Sequence, residues 1–468
     1  MIPSVKSCSV SLSEICEAGL RLEAGVFNID AKNAKKHIED LNLSKSHLAG
    51  DFGLIKAFHC PRFKRPYVDG DDGIPFFQPS QIVEVLPEPA RFLAKSFGEP
   101  EHLQVKRGQL LLTCSGTIGK LGRVTKHFEN KVFSHDLIRI ELKDPKYTGL
   151  VYTFLSSEMG QLLLKTSNYG AVIQHIEPDH LEDILVPIPE SRTLEKLNEL
   201  FDKALQCINE SNELIQSARD KLLLSLGFDD FSHADICNYD NSSPVQNVSL
   251  GLQHLQGRLD ASFHTPKAEA IEEHLKNEEC TLLKVGDSRL SNGVFLPGRF
   301  KRVYVEKEFG IPFIGGKELG NLTPKTEKFL SLKGHSERIK SELLLKRGTI
   351  LVTRSGTIGK VNLTPRHWEG CAASEHIIRI TPKDDITAGY LYAWLSTSYG
   401  LEMIKRHTYG AVVDEIDDYH VSEVLVPMLS DSEVAEIGSL VVRASALRTQ
   451  ASELDQQAML VLTKELKL

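Results

Sequence analysis

An internal duplication constrains the fold of this chain more than any other feature. RGQLLLTCSGTIGK, from Arg107, aligns without a gap to RGTILVTRSGTIGK, from Arg347, and the two stretches agree at ten of fourteen positions. At the same offset of 240 residues, FSHDLIRI corresponds to ASEHIIRI, and YGAVIQHIEPDHLEDILVPIP corresponds to YGAVVDEIDDYHVSEVLVPML. Nearer the start of each copy, PRFKRPYVDGDDGIPF matches GRFKRVYVEKEFGIPF at an offset of 237. The chain therefore holds two copies of one unit that differ by a net three residues in length.

Length and composition are those of a globular protein with more than one domain. The 468 residues accommodate two units of about 190 residues with connections. No apolar run approaches the roughly 20 residues of a membrane span, and MIPSVKSCSVSLSEI lacks the pattern of a signal peptide, so a cytoplasmic protein is expected. The 8 cysteines include no C-x-x-C pair, which predicts neither a zinc site nor a disulfide framework.

Each unit has a mixed pattern that predicts an α+β fold. LLLTCSGTIGKLGRV and ILVTRSGTIGKVNLT read as a strand, a tight glycine turn and a second strand. DLIRIEL and HIIRITP indicate further strands, whereas TGLVYTFLSSEMGQLLLKTS and AGYLYAWLSTSYGLEMIKRH carry apolar residues at helical spacing. We expect each unit to be built on a curved sheet.

A long helix is predicted after each unit. Residues 191–225 contain no Gly or Pro, and residues 431–465 contain only Gly438 as a weak interruption. Apolar or small residues recur at steps of three and four. In the first helix they are Leu197, Leu200, Ala204, Cys207, Ser211, Leu214 and Ala218, followed by Lys221; in the second they are Ile437, Leu440, Ala444, Leu447, Ala451, Leu454, Ala458 and Val461.

This spacing favours pairing of the two helices as an antiparallel coiled coil, because consecutive copies related by a pseudo-two-fold axis would place them head to tail. The alternative is that each helix packs only on its own unit. The predicted order is target-recognition domain 1 (1–190), a spacer helix (191–226), a linker (227–246), domain 2 (247–428) and a second spacer helix (429–468). Helices of about 35 residues span roughly 50 Å and would hold the two units apart.

The repeated SGTIGK does not fit a nucleotide phosphate loop. That loop needs four residues between its glycines and a hydroxyl after the lysine, but Gly116 and Gly119 are separated by two residues and Lys120 is followed by Leu121. Two interpretations stay open. The turn could bring backbone amides and Lys120 or Lys360 to a nucleic-acid phosphate, or its glycines could serve only the geometry of a hairpin.

Basic residues recur at matching places, although the net charge of −8 does not itself favour nucleic acid. A base-reading role is expected where the copies differ, as in FFQPSQIVE against FIGGKELGN, and Cys114 against Arg354, because two identical readers would recognise one sequence twice. The candidate DNA-binding residues are Arg62, Lys64, Arg65, Gln78, Gln81, Ser115, Thr117 and Lys120 in the first copy, and Arg299, Lys301, Arg302, Lys317, Arg354, Ser355, Thr357 and Lys360 in the second.

The double unit, the G-x-I-G-K turn and the YGAV segment that ends in LVP before a long helix resemble the specificity subunit of a type I restriction-modification system. The resemblance covers essentially the whole chain. It implies two target-recognition domains that each read one part of a split double-stranded DNA site, joined by an antiparallel coiled coil. It also implies partners: two adenine methyltransferase subunits that carry S-adenosylmethionine, and in a restricting complex an ATP- and magnesium-dependent nuclease subunit.

The chain departs from this family at one place. Members often have a P-L-x-E-Q type sequence leading into the helix, but here Pro187 leads to IPESRTLEKL and Pro427 leads to MLSDSEVAEI. The identity of the partner that docks there is therefore open, and a subunit of another DNA-modifying defence complex is an alternative.

Catalytic motifs do not emerge from the sequence. An amino-methyltransferase needs a [DNS]-P-P-[YFW] loop, and the chain contains no Pro-Pro dipeptide and no H-E-x-x-H pair. We therefore expect no catalytic residue, no metal site and no cofactor in this chain. The competing hypothesis is a stand-alone nuclease or nucleotide hydrolase with duplicated domains, which would lose turnover on mutation of Lys120 or Lys360.

Overall fold

In the computed structural model, each glycine turn joins two short antiparallel strands, as the sequence predicts. Leu110–Thr113 pairs with Leu121–Arg123 in the first copy, and Ile350–Thr353 pairs with Val361–Leu363 in the second. Every residue of the two leading strands is buried, which explains why they are apolar up to their final threonine.

The structure describes residues 9–17, 20, 27–68, 73–98, 100–166, 175–228, 251–252, 255, 257–261, 263–278, 280–324, 326–410 and 414–467. Most of the expected linker 227–246 and the first YGAV segment lie outside these residues. The chain divides into two compact units, Met1–Asn209 with Gln450–Leu468, and Glu210–Thr449.

The first unit contains two four-stranded sheets and a two-stranded ribbon. Its strands are β1 (Ser44–His47), β2 (Ile55–Phe58), β3 (Tyr67–Val68), β4 (Ile74–Phe77), β5 (Arg91–Leu93), β6 (Leu110–Thr113), β7 (Leu121–Arg123), β8 (Val132–Phe133), β9 (Leu137–Leu142) and β10 (Leu185–Ile188). The sheet orders are β2-β9-β6-β7 and β3-β5-β4-β8, and β1 pairs with β10. Its helices are α1 (Leu12–Glu17), α2 (Ile29–Asp40), α3 (Thr148–Ser156) and α4 (Glu158–Thr166), and α5 (Ser191–Ser225) begins in it.

The second unit repeats this topology. Its strands are β11 (Thr281–Lys284), β12 (Ser291–Phe295), β13 (Tyr304–Val305), β14 (Gly310–Ile314), β15 (Phe329–Ser331), β16 (Ile350–Thr353), β17 (Val361–Leu363), β18 (Ala372–Ala373), β19 (Ile377–Pro382) and β20 (Leu425–Met428). The orders β12-β19-β16-β17 and β13-β15-β14-β18, with β11 beside β20, match those of the first unit. Its helices are α6 (Pro266–Asn277), α7 (Leu332–Arg338), α8 (Asp385–Leu395), α9 (Ser398–Lys405), α10 (Asp418–Ser422) and α11 (Asp431–Glu465).

The two cores use equivalent positions but different side chains. Phe128 and Phe133 pack together in the first core, with their ring centroids 5.1 Å apart. The equivalent residues of the second core are Trp368 and Ala373. A larger ring at one position is thus matched by a smaller side chain at the other, so the shared backbone keeps a filled interior.

The three extra residues of the second copy lie between β15 and β16. Leu93 and Leu330 are still equivalent at an offset of 237, whereas Val105 and Leu345 are equivalent at 240. In this stretch the second copy forms α7 and a π-helical turn at Ile339–Leu343.

The apolar segment after β9 forms two helices rather than one. Ser157 ends α3, and its hydroxyl accepts a hydrogen bond from the Gly160 amide at 3.0 Å, which caps the start of α4. Thr397 plays the same part for Gly400 between α8 and α9, also at 3.0 Å.

The two long helices have the predicted bounds and pack together as an antiparallel pair. In the second unit, Lys221 contacts Glu436, and the Ser211 hydroxyl accepts from Arg448 Nε at 3.0 Å. In the first unit, Thr193 near the start of α5 donates to Glu465 at the end of α11 at 2.8 Å. Each unit is therefore completed by part of both helices.

The buried stripe of each helix differs in part from the expected seam. Leu197, Leu200, Ala204, Ala218, Ile437, Ala444, Ala451, Leu454 and Ala458 are buried. Leu214, Leu440 and Leu447 are only half-buried, and Lys221 is exposed. Ile215, Leu222 and Val441 are buried in their vicinity, because a strict seven-residue spacing drifts around a helix of 3.6 residues per turn.

Gly438 does not interrupt α11. It lies against α8, where a Cβ atom added to Gly389 would come within 2.3 Å of the Gly438 carbonyl oxygen. The missing side chains let the two helices approach closely, so Gly438 has a packing role that its helix propensity alone does not indicate.

Candidate nucleic-acid interface

A threonine that precedes each glycine turn closes that turn from inside. The Thr113 hydroxyl donates to the Thr117 carbonyl at 2.6 Å and accepts from the Lys120 amide at 2.9 Å. Thr353 makes the same two bonds, to the Thr357 carbonyl and from the Lys360 amide. The sequence analysis missed these threonines, although the T-x-S-G-T-I-G-K match included both.

Glycine is needed at the two positions of each turn for different physical reasons. Gly116 and Gly119 both have positive φ, at 68° and 88°. A Cβ atom at Gly116 would meet open space, whereas one at Gly119 would lie 2.8 Å from the Gln161 side chain of α4. The first glycine therefore allows a left-handed backbone at an exposed tip, and the second allows the turn to pack on the helix.

The closing segment of each copy lies directly against the turn. His175 forms a β-bridge with Ser115, and Glu415 forms the equivalent bridge with Ser355. In the second copy, Glu415 also forms a β-bridge with Tyr409, the first residue of the YGAV segment. The two motifs that the sequence singled out thus meet at one surface in the second unit.

An arginine and a glutamate form an ion pair at this junction in the second copy. Arg354 Nη2 lies 2.6 Å from Glu415 Oε2, and Arg299 Nη2 lies 3.2 Å from Glu415 Oε1. One carboxylate therefore holds two guanidinium groups that belong to different candidate segments.

A second arginine–carboxylate pair occurs in both copies, next to the RFKR segment. Arg65 Nη2 lies 2.6 Å from Asp136, and Arg302 Nη2 lies 2.7 Å from Glu375. Burial, the largest single influence, raises the pKa of Asp136 and of Glu375. The hydrogen bonds from Arg65 and Arg302, together with nearby positive charges and local hydrogen bonds, outweigh it, so both pKa values lie below their usual range.

An aromatic platform lies under these arginines. Arg65 is 5.9 Å from the ring centroid of Phe76, and Arg302 is 5.5 Å from that of Phe313. Tyr67 and Tyr304 stand beside them as exposed rings, each 43% exposed. Exposed tyrosines next to ordered arginines are typical of binding surfaces and were not singled out from the sequence.

One family model matches most of the second repeat. Residues 300–433, which hold the turn, the Arg354–Glu415 and Arg302–Glu375 pairs and the closing segment, match the model for the type I restriction modification DNA specificity domain. The second repeat is therefore similar to a type I DNA specificity domain, and this stretch is called the specificity domain below. The first repeat has the same sheet orders and the same threonine-closed turn as this specificity domain.

Solved structures similar to the chain include the S subunit of a type I restriction-modification system from M. genitalium, at 13% identity and a TM-score of 0.34, covering 92% of this chain and 96% of that one. The HsdS subunit from Thermoanaerobacter tengcongensis is also similar, at 13% identity and a TM-score of 0.27, covering 89% of this chain and 98% of that one. No curated protein sequence matches the chain.

The remaining candidate residues of the specificity domain and its counterpart divide by exposure. Arg62, Lys64, Thr117, Arg299, Lys301, Lys317 and Thr357 are exposed, and Gln78, Ser115, Lys120, Ser355 and Lys360 are half-buried. The exposed group and the turn tips can meet a ligand without rearrangement.

Gln81 has a structural role instead. Its side-chain carbonyl accepts from the Gln78 amide at 2.9 Å, and its side-chain amide donates to the Glu88 carbonyl at 2.6 Å. The residue is buried, so both ends of its amide are engaged inside the protein. Glu318 caps the corresponding turn in the specificity domain by accepting from the Gly315 amide at 2.9 Å.

Among the residues that the structure describes, no group of histidine, cysteine and carboxylate side chains could hold a metal ion. Within the same residues, no helix is long and apolar enough to cross a membrane. The arrangement as a whole offers ordered arginines, exposed tyrosines and a rigid turn, which are groups that can bind a ligand.

Proposed function

We propose that this chain is the DNA-recognition subunit of a type I restriction-modification complex and has no catalytic activity of its own. Each repeat reads one part of a bipartite, asymmetric site in double-stranded DNA. The observation that carries the proposal is the specificity domain at 300–433, together with the same closed turn in the first repeat.

The differences between the repeats support an asymmetric site. Cys114 and His175 in the first repeat occupy the places of Arg354 and Glu415 in the second, on the same backbone scaffold. Because base edges are read by side-chain donors and acceptors, two scaffolds with different groups select different sequences.

Catalysis belongs to partner subunits in this proposal. Two adenine methyltransferase subunits would bring S-adenosylmethionine, and restriction subunits would bring ATP and magnesium chemistry. The paired α5 and α11 offer these partners a long surface.

Selection from a randomised duplex pool tests DNA reading directly. The purified full chain, with its methyltransferase partner where the two co-purify, is expected to enrich one motif with two defined parts separated by an undefined spacer. Exchange of residues 61–189 for the equivalent stretch of a relative should change one part and leave the other as it was. Absence of any enriched motif, or a change in both parts, would contradict the proposal.

Co-purification with adenine methyltransferase and sequencing of the methylated DNA test the partner assignment. We expect about two methyltransferase copies per chain and methylation within the enriched motif. Turnover of DNA or nucleotide by the isolated chain, lost in Lys120→Ala or Lys360→Ala, would instead favour a stand-alone enzyme.

A further inference from the structure

Glu415 is the centre of a small charged cluster beside the second glycine turn. Its two carboxylate oxygens accept from Arg354 at 2.6 Å and from Arg299 at 3.2 Å. The side chain of Arg299 is 67% exposed, that of Glu415 is 21% exposed and that of Arg354 is 12% exposed. The cluster therefore runs from the surface into the protein and leaves the side chain of Arg299 largely exposed to solvent.

The backbone around the cluster is held on two sides. The Ile416 amide donates to the Arg354 carbonyl at 3.1 Å, and the Glu415 amide donates to the Tyr409 carbonyl at 2.8 Å. These bonds hold the backbone segment that contains Glu415 beside the segment that contains Arg354. Arg354 Nε is buried without an acceptor among the described residues, so the carboxylate of Glu415 is what orients the guanidinium.

The first repeat lacks this cluster at the same place. Cys114 occupies the place of Arg354, its carbonyl accepts from the Ile176 amide at 3.0 Å, and His175 occupies the place of Glu415. Burial raises the pKa of the Cys114 thiol to about 12, so the thiol stays uncharged at neutral pH. Of the three positions, only Arg62, the counterpart of Arg299, keeps its arginine.

We infer that Glu415 is a positioning residue for sequence specificity: anchored by the largely buried Arg354, it orients the exposed Arg299 toward base acceptors in the half-site that the second repeat reads. The replacement of the pair by Cys114 and His175 gives the first repeat a different preference at the equivalent base position. This inference rests on the proposed DNA-recognition function and names the residues that would make its two half-sites differ.

The physical basis is the cost of an acidic group on a DNA-binding surface. A carboxylate beside the phosphate backbone weakens general attraction, so a surface built only for affinity would not place one there. A carboxylate that fixes two guanidinium groups lowers the entropy lost on binding and favours a bidentate contact such as that with guanine O6 and N7. Loss of the carboxylate should therefore raise general affinity and reduce discrimination.

The first test compares Glu415→Gln with Asp414→Asn, which makes the same change of charge at the neighbouring exposed residue. Binding of the full chain is measured to its enriched duplex and to a scrambled duplex over a range of salt. We expect Glu415→Gln to bind the scrambled duplex more tightly and to lose roughly tenfold in discrimination, within the range for one bidentate base contact. Asp414→Asn should keep its discrimination. Equal discrimination in Glu415→Gln and the wild type would overturn the inference.

The second test exchanges the pair between repeats. A chain with Arg354→Cys and Glu415→His keeps the same net charge with histidine neutral, and the reciprocal chain carries Cys114→Arg and His175→Glu. Each should change the enriched sequence only in the half read by the altered repeat. If both keep the wild-type motif with wild-type affinity, the pair is structural and the inference fails. If the wild type itself enriches no motif, the proposed function fails first.

Glu415→Asp keeps the carboxylate and is the control for a loss of folding in Glu415→Gln. It should retain most of the discrimination that Glu415→Gln loses. Loss of discrimination in Glu415→Asp but not in Glu415→Gln, with unchanged thermal unfolding in both, would show that side-chain length rather than charge matters and would overturn the positioning role of the charge.

Discussion

Arg123 Nη2 donates to both carboxylate oxygens of Asp455, at 2.7 and 2.5 Å, although 332 residues separate them in the chain. Arg123 follows the first glycine turn in β7, and Asp455 lies in α11. The guanidinium is buried, stacks 4.2 Å from the Tyr152 ring centroid and donates to the Tyr152 hydroxyl at 2.7 Å. In the first unit, this ion pair thus joins the sheet that carries the glycine turn to α11.

Asp455→Asn should destabilise the first unit, because a buried guanidinium would lose its counter-charge. We expect a loss of about 3 kcal/mol in the free energy of unfolding, measured in urea. Glu453→Gln, an exposed site on the same helix, is the matched control and should be nearly neutral. The double variant Arg123→Met and Asp455→Leu should recover most of the loss, and a double variant as unstable as the single one would contradict the ion-pair account.

Gly389→Ala should destabilise the second unit, because the new Cβ atom would lie 2.3 Å from the Gly438 carbonyl oxygen. Such overpacking costs about 1–3 kcal/mol, which exceeds the gain in helix propensity. Ser439→Ala, an exposed neighbour of Gly438 on α11, is the control and should not lower the unfolding midpoint. A stabilised Gly389→Ala would show that the helices can separate freely.

The local elements of this fold could be predicted from the sequence, whereas these long-range contacts could not. The hairpins, the bounds of α5 and α11 and their antiparallel pairing could be predicted, because duplication, turn glycines and helical periodicity are local signals. The ion pair of Arg123 and Asp455 has no local signal, and neither has the contact of Gly389 with Gly438. Gly438 reads as a defect in an isolated helix and becomes a packing site only when its neighbour is known.

The candidate site was predictable to a similar extent. Matching positions in two copies identified the SGTIGK turn and the RFKR arginines, since both copies need the same scaffold. Exposure and pairing could not be predicted from the sequence: Gln81 caps a turn, and Arg354 is paired with Glu415, which the sequence analysis did not single out. Thr113 and Thr353 were visible as matches but gave no hint of their hydrogen bonds.

Thr353→Val should loosen the second turn, because the hydroxyl that joins the Thr357 carbonyl to the Lys360 amide is lost from a buried place. We expect a loss of about 1–3 kcal/mol in stability and weaker DNA binding. Thr353→Ser keeps the hydroxyl and should bind DNA nearly as the wild type does. Equal DNA binding by the valine and serine variants would show that the clamp does not shape the interface.

Lys360→Ala should weaken binding to enriched and scrambled duplexes by a similar factor, as expected for a phosphate contact rather than a base contact. The slope of log K against log salt should fall in magnitude by about one. Lys340→Ala, at an exposed site in the π-helical turn of the same unit, serves as the control. An unchanged slope would exclude Lys360 as a phosphate contact.

His407 should make the stability of the second unit depend on pH. Burial, together with the charge of Arg406, lowers the pKa of His407 to about 3 from its ordinary 6.5. Above pH 6.5 the ring is neutral in both states. As the pH falls below 6.5, the unfolded chain takes up a proton that the folded chain does not, so stability declines by about 1.4 kcal/mol per pH unit.

His407→Phe should flatten that decline, because phenylalanine keeps a ring beside Phe263, whose centroid lies 5.3 Å from that of His407. Urea unfolding at pH 7.5, 6.0 and 5.0 measures the effect, with His376→Phe, a more exposed histidine, as the comparison. A decline of the same steepness in His407→Phe and the wild type would assign the acid sensitivity to other groups.

The division of the chain into units has a consequence for biosynthesis. Residues 450–467 belong to the first unit, yet they leave the ribosome only after the whole second unit has been made. At a typical 5–20 residues per second, Arg123 waits about 15–65 s for Asp455 to be synthesised. The first unit therefore emerges first and completes its fold last. During that interval, Arg123, which is buried in the complete unit, and the apolar face of α5 are exposed to chaperones.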